Sequence, residues 1–234
     1  MKTIKELLQD KEKLSLVCGA SNAMIAKLAE KAGFDGVELH GAHSYLICQF
    51  LGAKTNRRND EWGGDIYGRS KFLKEIIKSI RAVANESFLV TVRISPIIEK
   101  AGIYLEDSLD LARSLSQMDV DMLHISCWDV FEEVGDGNEE SLTKRFRNVL
   151  PTGFPLISTG AVWDTKEAQW LMDEGADIVG VARVGIAHPD WPQNLIDENY
   201  QPQRPPFSVE HLASVDLSPV FIDYMKRWKN FVIK

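Results

Sequence analysis

Two histidines and a tyrosine fall within six residues, at His40, His43 and Tyr45, in the run Gly36-Val37-Glu38-Leu39-His40-Gly41-Ala42-His43-Ser44-Tyr45-Leu46. An imidazole N–H donates a hydrogen bond to an anion or a carbonyl oxygen, and a phenol can deliver a proton. Such a cluster suits a reaction in which an oxygen gains negative charge while a neighbouring atom is protonated. Arg93 closes the apolar run Leu89-Val90-Thr91-Val92. A guanidinium there is costly unless it is paired with a carboxylate or held against a ligand. Ser126, Thr159 and Arg183 stand at the ends of three further apolar runs.

The elements that must position these groups follow from hydrophobic periodicity. Short apolar runs predict strands over Leu14–Cys18, Gly36–His40, Phe88–Ile94, Met122–Ser126, Pro155–Ser158 and Ile178–Val181. Between them, apolar residues recur three and four positions apart over Asn22–Ala32, Ser70–Ala84, Leu105–Met118 and Thr165–Glu174, the spacing of an amphipathic helix. Gly33 and Gly175 each sit just before a strand, where glycine suits a helix C-cap. Strand–helix alternation predicts an α/β fold with a parallel sheet. Polar residues at strand tips suit the C-terminal face of a (β/α)8 barrel. A doubly wound sheet also binds ligands at its strand ends, so periodicity leaves both architectures open.

Composition narrows the function classes. The 234 residues are 44% hydrophobic, enough for a sizeable core, and carry a net charge of −7. With no long basic run, nucleic acid or an acidic membrane is not the expected partner. No apolar stretch reaches the ~18 residues of a membrane span, and the first residues lack the apolar core of a signal peptide. Cys18, Cys48 and Cys127 are too scattered for a CxxC pair and read as reduced thiols, so a cytoplasmic setting is expected. No zinc spacing, P-loop or nucleophile elbow occurs, and no metal site is expected. Gly135–Glu140 lacks the ligand pattern of an EF-hand and reads as a surface loop.

The ordered series His40-Gly41-Ala42-His43-Ser44-Tyr45-Leu46, Gln49-Phe50-Leu51, Asn56-Arg57-Arg58-Asn59-Asp60-Glu61-Trp62-Gly63-Gly64, Arg69, Val92-Arg93-Ile94-Ser95-Pro96, Leu105-Glu106-Asp107-Ser108, Leu123-His124-Ile125-Ser126, Pro155-Leu156-Ile157-Ser158-Thr159-Gly160, Gly175-Ala176-Asp177, Arg183 and Pro189-Asp190-Trp191 resembles the old yellow enzyme family over about residues 25–200. That resemblance implies a (β/α)8 barrel, FMN as cofactor and NADH or NADPH as reductant. It implies reduction of an electrophilic alkene or similar small-molecule acceptor by hydride transfer from flavin. It matches His40 and His43 to the pair that binds the substrate oxygen, and Tyr45 to the proton donor. Arg93 matches the arginine beside the flavin ring. Gly160, Ala161, Ala182 and Arg183 match the phosphate site, with Ala182 standing where the family has glycine. Backbone donation survives that change if the local φ stays negative. Asn56–Glu61 and Arg69 read as architecture, with Arg69 paired to a carboxylate, and His124 and His188 read as structural.

The resemblance breaks near the start. The segment before His40 is too short for the three βα units that precede this position in the family. Six recognisable βα units stand where a closed barrel has eight. The expected fold is therefore TIM-barrel-like but truncated or atypical at its N-terminus. The chain is then a fragment, a natural deletion, or a barrel with a replaced first segment. An exposed sheet edge invites pairing, so a homo-oligomer is one expected consequence. A non-catalytic remnant unable to hold flavin is the alternative reading. A weaker resemblance, at Leu16–Met24, is to the opening unit of the phosphoenolpyruvate mutase and isocitrate lyase group. Residues 1–200 are expected to form the barrel-like domain, and 201–234 a strap and short helix packed on it.

Overall fold

The computed structural model describes residues 15–233. Their elements are β1 (Val17–Ala20), α1 (Ala23–Lys31), β2 (Gly36–Gly41), α2 (Leu46–Leu51), α3 (Ile66–Arg69), α4 (Lys71–Arg81), β3 (Leu89–Ile94), α5 (Leu105–Leu115), β4 (Met122–Ser126), α6 (Leu142–Val149), β5 (Leu156–Thr159), α7 (Thr165–Asp173), β6 (Ile178–Gly180), α8 (Arg183–Ala187), α9 (Trp191–Asn194), α10 (Val209–Ser214) and α11 (Pro219–Met225).

Local sequence accounts for the element ends. Asn22 starts α1 by accepting the Ile25 N–H. The helix stops at Gly33, whose φ of 88° lets the Phe34 N–H return to the Ala29 carbonyl at 3.1 Å. Gly175 ends α7 in the same way with φ 104°, and a Cβ there would lie 2.6 Å from the Arg147 side chain. Asp164 and Glu167 form a reciprocal capping box on α7. In α4 the buried residues Leu73, Ile77 and Ile80 line one face, as periodicity requires. β1 begins later than Leu14, which lies outside the described residues. The Asp35 carboxylate takes the Leu16 N–H at 2.8 Å, and the ladder opens with Val17 opposite Gly36.

The six strands form one parallel sheet in the order β1-β2-β3-β4-β5-β6. Each strand lies beside its successor, and the order never reverses. That is the succession of a (β/α) barrel and not of a doubly wound sheet. Among the described residues β1 and β6 do not pair with each other, so the arc stays open at two edges.

Alternation along the strands separates two faces. One face carries Val37, Leu39, Val90, Val92, Leu123, Ile125 and Leu156, all buried with Leu73, Ile77, Ile80, Leu115 and Phe146 of the surrounding helices. The other carries Glu38, His40, Thr91, Arg93, His124, Ser126 and Thr159. Ladder partners His40–Arg93, Arg93–His124 and Ser126–Thr159 set these side by side. Polar strand tips are thereby gathered into one surface.

The tail differs from the sequence expectation over Phe221–Val232. Ser218 caps α11 and Pro219 opens it, so the helix starts earlier and ends at Met225. Val232 then bridges Phe207 in parallel, with Phe207 N–H to Phe231 O at 2.9 Å. Phe207, Leu212, Ile222, Met225 and Phe231 are buried in a second cluster with Trp163, Leu171, Val184 and Trp191. Each such side chain contributes about 1.5–3 kcal/mol on burial, so this segment is part of the folded body. His188 packs on Phe207 and bonds the Gln203 carbonyl at 2.8 Å.

Candidate active site

The chain leaves β2 through an uncommon turn. His43 and Ser44 have φ of 56° and 62°, left-handed values that cost on the order of 1–3 kcal/mol each for residues with a Cβ. The turn folds His43 back over the sheet. Its backbone N–H donates to Ser95 Oγ at 3.1 Å, and its Nε2 lies 2.8 Å from Ser126 Oγ. His40 stands between its two neighbours, with ring centroids 5.0 Å from His43 and 5.1 Å from Tyr45. Tyr45 opens α2 and is exposed.

Arg93 Nη2 donates to the same Ser126 hydroxyl at 2.8 Å. No carboxylate of the described residues lies within ion-pair distance of Arg93, and its buried Nε has no hydrogen-bond partner. An unmet donor of this kind costs about 1–3 kcal/mol. Of the two readings left open by the sequence, the structure removes the ion pair and leaves the guanidinium without a carboxylate partner among the described residues.

His124 is more connected than its sequence position suggested. Nδ1 lies 2.8 Å from Glu38 Oε2, and Nε2 lies 2.7 Å from Thr159 Oγ1. Burial raises the Glu38 pKa, but the hydrogen bond from His124 and the nearby charge of Arg93 act the other way, and the net pKa is lowered. Desolvation, and then the charge of Arg93, lower the pKa of His40. The same causes push His43 down to about 4. At neutral pH both imidazoles are therefore uncharged, and each retains one N–H to donate.

These groups border a cavity of about 520 Å³ lined by His43, Arg93, Ser126, Thr159, the segments Gly160–Trp163 and Gly180–Val184, and the tail residues Trp228–Phe231. That volume falls in the usual range for a small-molecule site. His43, Arg93, Gly160, Ala161, Ala182 and Arg183 share the cavity, while His40 and Tyr45 stand beside its His43 end and do not line it. Ala161 has φ 57°, and Ala182 has a negative φ of −133° with ψ −72°, a pair outside the main helical and extended regions. None of the backbone N–H groups of Gly160, Ala161, Ala182 and Arg183 donates to a described residue.

Sequence reasoning missed two parts of the wall. Trp128 is 84% exposed and lies against Arg183, with the guanidinium 6.0 Å from its ring centroid. The tail residues Trp228–Phe231 showed only as an aromatic and basic stretch, which gives no hint of the surface they reach. Cys127 also touches the cavity, but burial, with Asp129 nearby, pushes its thiol up to about 12, so it is not a ready nucleophile. Arg69 does have its carboxylate. It is buried against Asp107 and donates to the carbonyls of Leu51 and Gly64.

Comparison with known proteins gives a consistent result. The NADH:flavin oxidoreductase / NADH oxidase family matches residues 21–201. An NADH:fumarate oxidoreductase of Klebsiella pneumoniae (strain 342) is 34% identical over 184 residues, 72% of this chain and 20% of that protein. An NADH oxidase of Thermoanaerobacter brockii is 35% identical over 176 residues, 70% of this chain and 27% of that protein. The solved structure of an old yellow enzyme homologue from Zymomonas mobilis superposes with a TM-score of 0.64 at 28% identity, over 80% of this chain and 52% of that one. The chain thus spans about half, or less, of the length of each of these proteins.

Proposed function

The chain belongs to the NADH:flavin oxidoreductase / NADH oxidase family, and on that footing we propose that it binds FMN and takes part in NAD(P)H-dependent reduction of an electrophilic alkene or similar small acceptor. One observation carries this reading. A single cavity joins Arg93, a guanidinium with no carboxylate partner among the described residues, to free backbone N–H groups at Gly160, Ala161, Ala182 and Arg183.

The residues present fit that cofactor. The free N–H groups, with the Arg183 guanidinium, would hold a phosphate, and Arg93 would face an electron-rich ring edge. Bound FMN would supply the hydride. His40 and His43, both neutral, would donate to the substrate oxygen as it gains negative charge. The Tyr45 hydroxyl would then transfer its proton to the substrate α-carbon. Ser126 would hold the His43 ring and the Arg93 guanidinium in fixed relation through its two hydrogen bonds.

The edges at β1 and β6, open among the described residues, favour a second reading, a remnant that folds without retaining flavin. Absorbance spectra with and without added FMN separate the two. The proposal expects flavin bands that remain with the protein through gel filtration, and lost turnover in Tyr45→Phe and His40→Ala. Colourless protein that takes up no FMN would sink it in favour of the remnant.

A further inference from the structure

Thr159 shares its place in the ladder with Ser126, and the two hydroxyls lie side by side on the cavity floor. They are tied to opposite charges. Ser126 Oγ accepts from Arg93, whereas Thr159 Oγ1 is linked through His124 to Glu38. The second chain crosses β3, from β2 to β4 and on to β5. Its members come from sequence separations of 86 and 35 residues.

We propose that Glu38, acting through His124, orients the Thr159 hydroxyl so that its lone pairs face the cavity, making Thr159 an acceptor for an N–H or O–H donor on the bound ligand. The polarity follows link by link. An ionised carboxylate only accepts, so His124 must carry its proton on Nδ1. A neutral imidazole then has a bare Nε2, and the hydroxyl 2.7 Å away must donate to it. The relay requires a singly protonated ring, because an imidazolium would donate from Nε2 and leave the hydroxyl proton free for the cavity. With its proton committed to His124, Thr159 has only acceptor capacity left for the cavity.

The placement is sterically set as well. A Cβ at Gly180 would lie 1.7 Å from Thr159 Oγ1, so the missing side chain on β6 is what leaves room for the hydroxyl. Two donors of the proposed ligand fit this acceptor, the imide N–H of a flavin ring and a hydroxyl of its polyol chain. The inference rests on the flavin reading above for the identity of the ligand, while the proton arrangement stands on the protein alone.

The test has two arms. Two-bond 1H–15N correlation spectra of the flavin-free protein, which has five histidines, should show His124 protonated on Nδ1 and bare on Nε2. The opposite tautomer or an imidazolium would overturn the proposal. Fluorescence titration should then show FMN binding weakened about fivefold in Thr159→Val, the worth of one hydrogen bond, and recovered in Thr159→Ser. Equal affinity of the valine variant and the parent would also overturn it. Lumiflavin, which lacks the polyol, separates the two donors. A loss seen with both ligands assigns the imide, and a loss with FMN alone assigns the hydroxyl. If the parent protein takes up no FMN, the flavin reading fails, and the histidine spectrum alone decides the relay.

Discussion

Replacing Arg93 with methionine should raise the pKa of His43 from about 4. Arg93 and His43 share one hydroxyl through bonds of 2.8 Å each, so the guanidinium Nη2 and the imidazole Nε2 are no more than about 5.6 Å apart. At that distance the repulsion between guanidinium and imidazolium is about 0.7 kcal/mol in a water-like dielectric and about 3 kcal/mol at an effective dielectric of 20. At about 1.36 kcal/mol per pH unit this spans about 0.5 to 2 units. His43 is partly exposed, so a rise of about one unit is expected, and less as salt is added. It would not reach the ordinary 6.5, because desolvation is the first cause of the depression. The assay is an NMR titration of the imidazole Cε1–H signals in both proteins. The sign also appears in stability. With a depressed folded pKa, the unfolded chain binds the extra proton first, so stability falls as pH drops from 6.5 towards 4 and levels off below. Arg93→Met should narrow that window from its acid side. A His43 pKa unchanged or lowered in the variant would refute the electrostatic coupling between Arg93 and His43.

Two further predictions concern stability. Gly180→Ala drives a Cβ into the Thr159 hydroxyl and should cost about 1–3 kcal/mol, read as a lower urea midpoint with unchanged slope. An unchanged midpoint would show that Thr159 turns aside freely. Arg69→Met removes a buried guanidinium from Asp107 and from the carbonyls of Leu51 and Gly64. A loss of about 3 kcal/mol is expected by the same measurement, the low end for a broken buried pair because Asp107 keeps some solvent. A loss below about 1 kcal/mol would mean that this pair behaves as a surface one.

Much of the fold was legible because it is local. Apolar runs and three-to-four spacing located the six strands within a few residues, and Gly33 and Gly175 marked helix ends through a backbone requirement. The cluster His40, His43 and Tyr45 was visible because it lies within one turn. Arg93 was visible because a charge at the end of an apolar strand demands a reason. Neighbour relations were not legible. Periodicity says that Glu38, His124 and Thr159 each sit in a strand, but not that one imidazole reaches across β3 to join the other two. Nor does it say that Trp228–Phe231 turn back onto the cavity, since that follows from pairing Phe207 with Phe231 and Val232 in the second apolar cluster.

Residue types and local spacing alone therefore determined the strand–helix rhythm, the chemistry available at the strand tips, and the family resemblance. The tertiary structure decided the rest. It chose the sequential sheet over the doubly wound one, left the β1 and β6 edges unpaired among the described residues, and tied one hydroxyl to a cation and its neighbour to an anion. The reason is physical. Secondary structure answers to contacts a few residues apart, whereas a site is made where sheet register and packing bring distant side chains within hydrogen-bond reach.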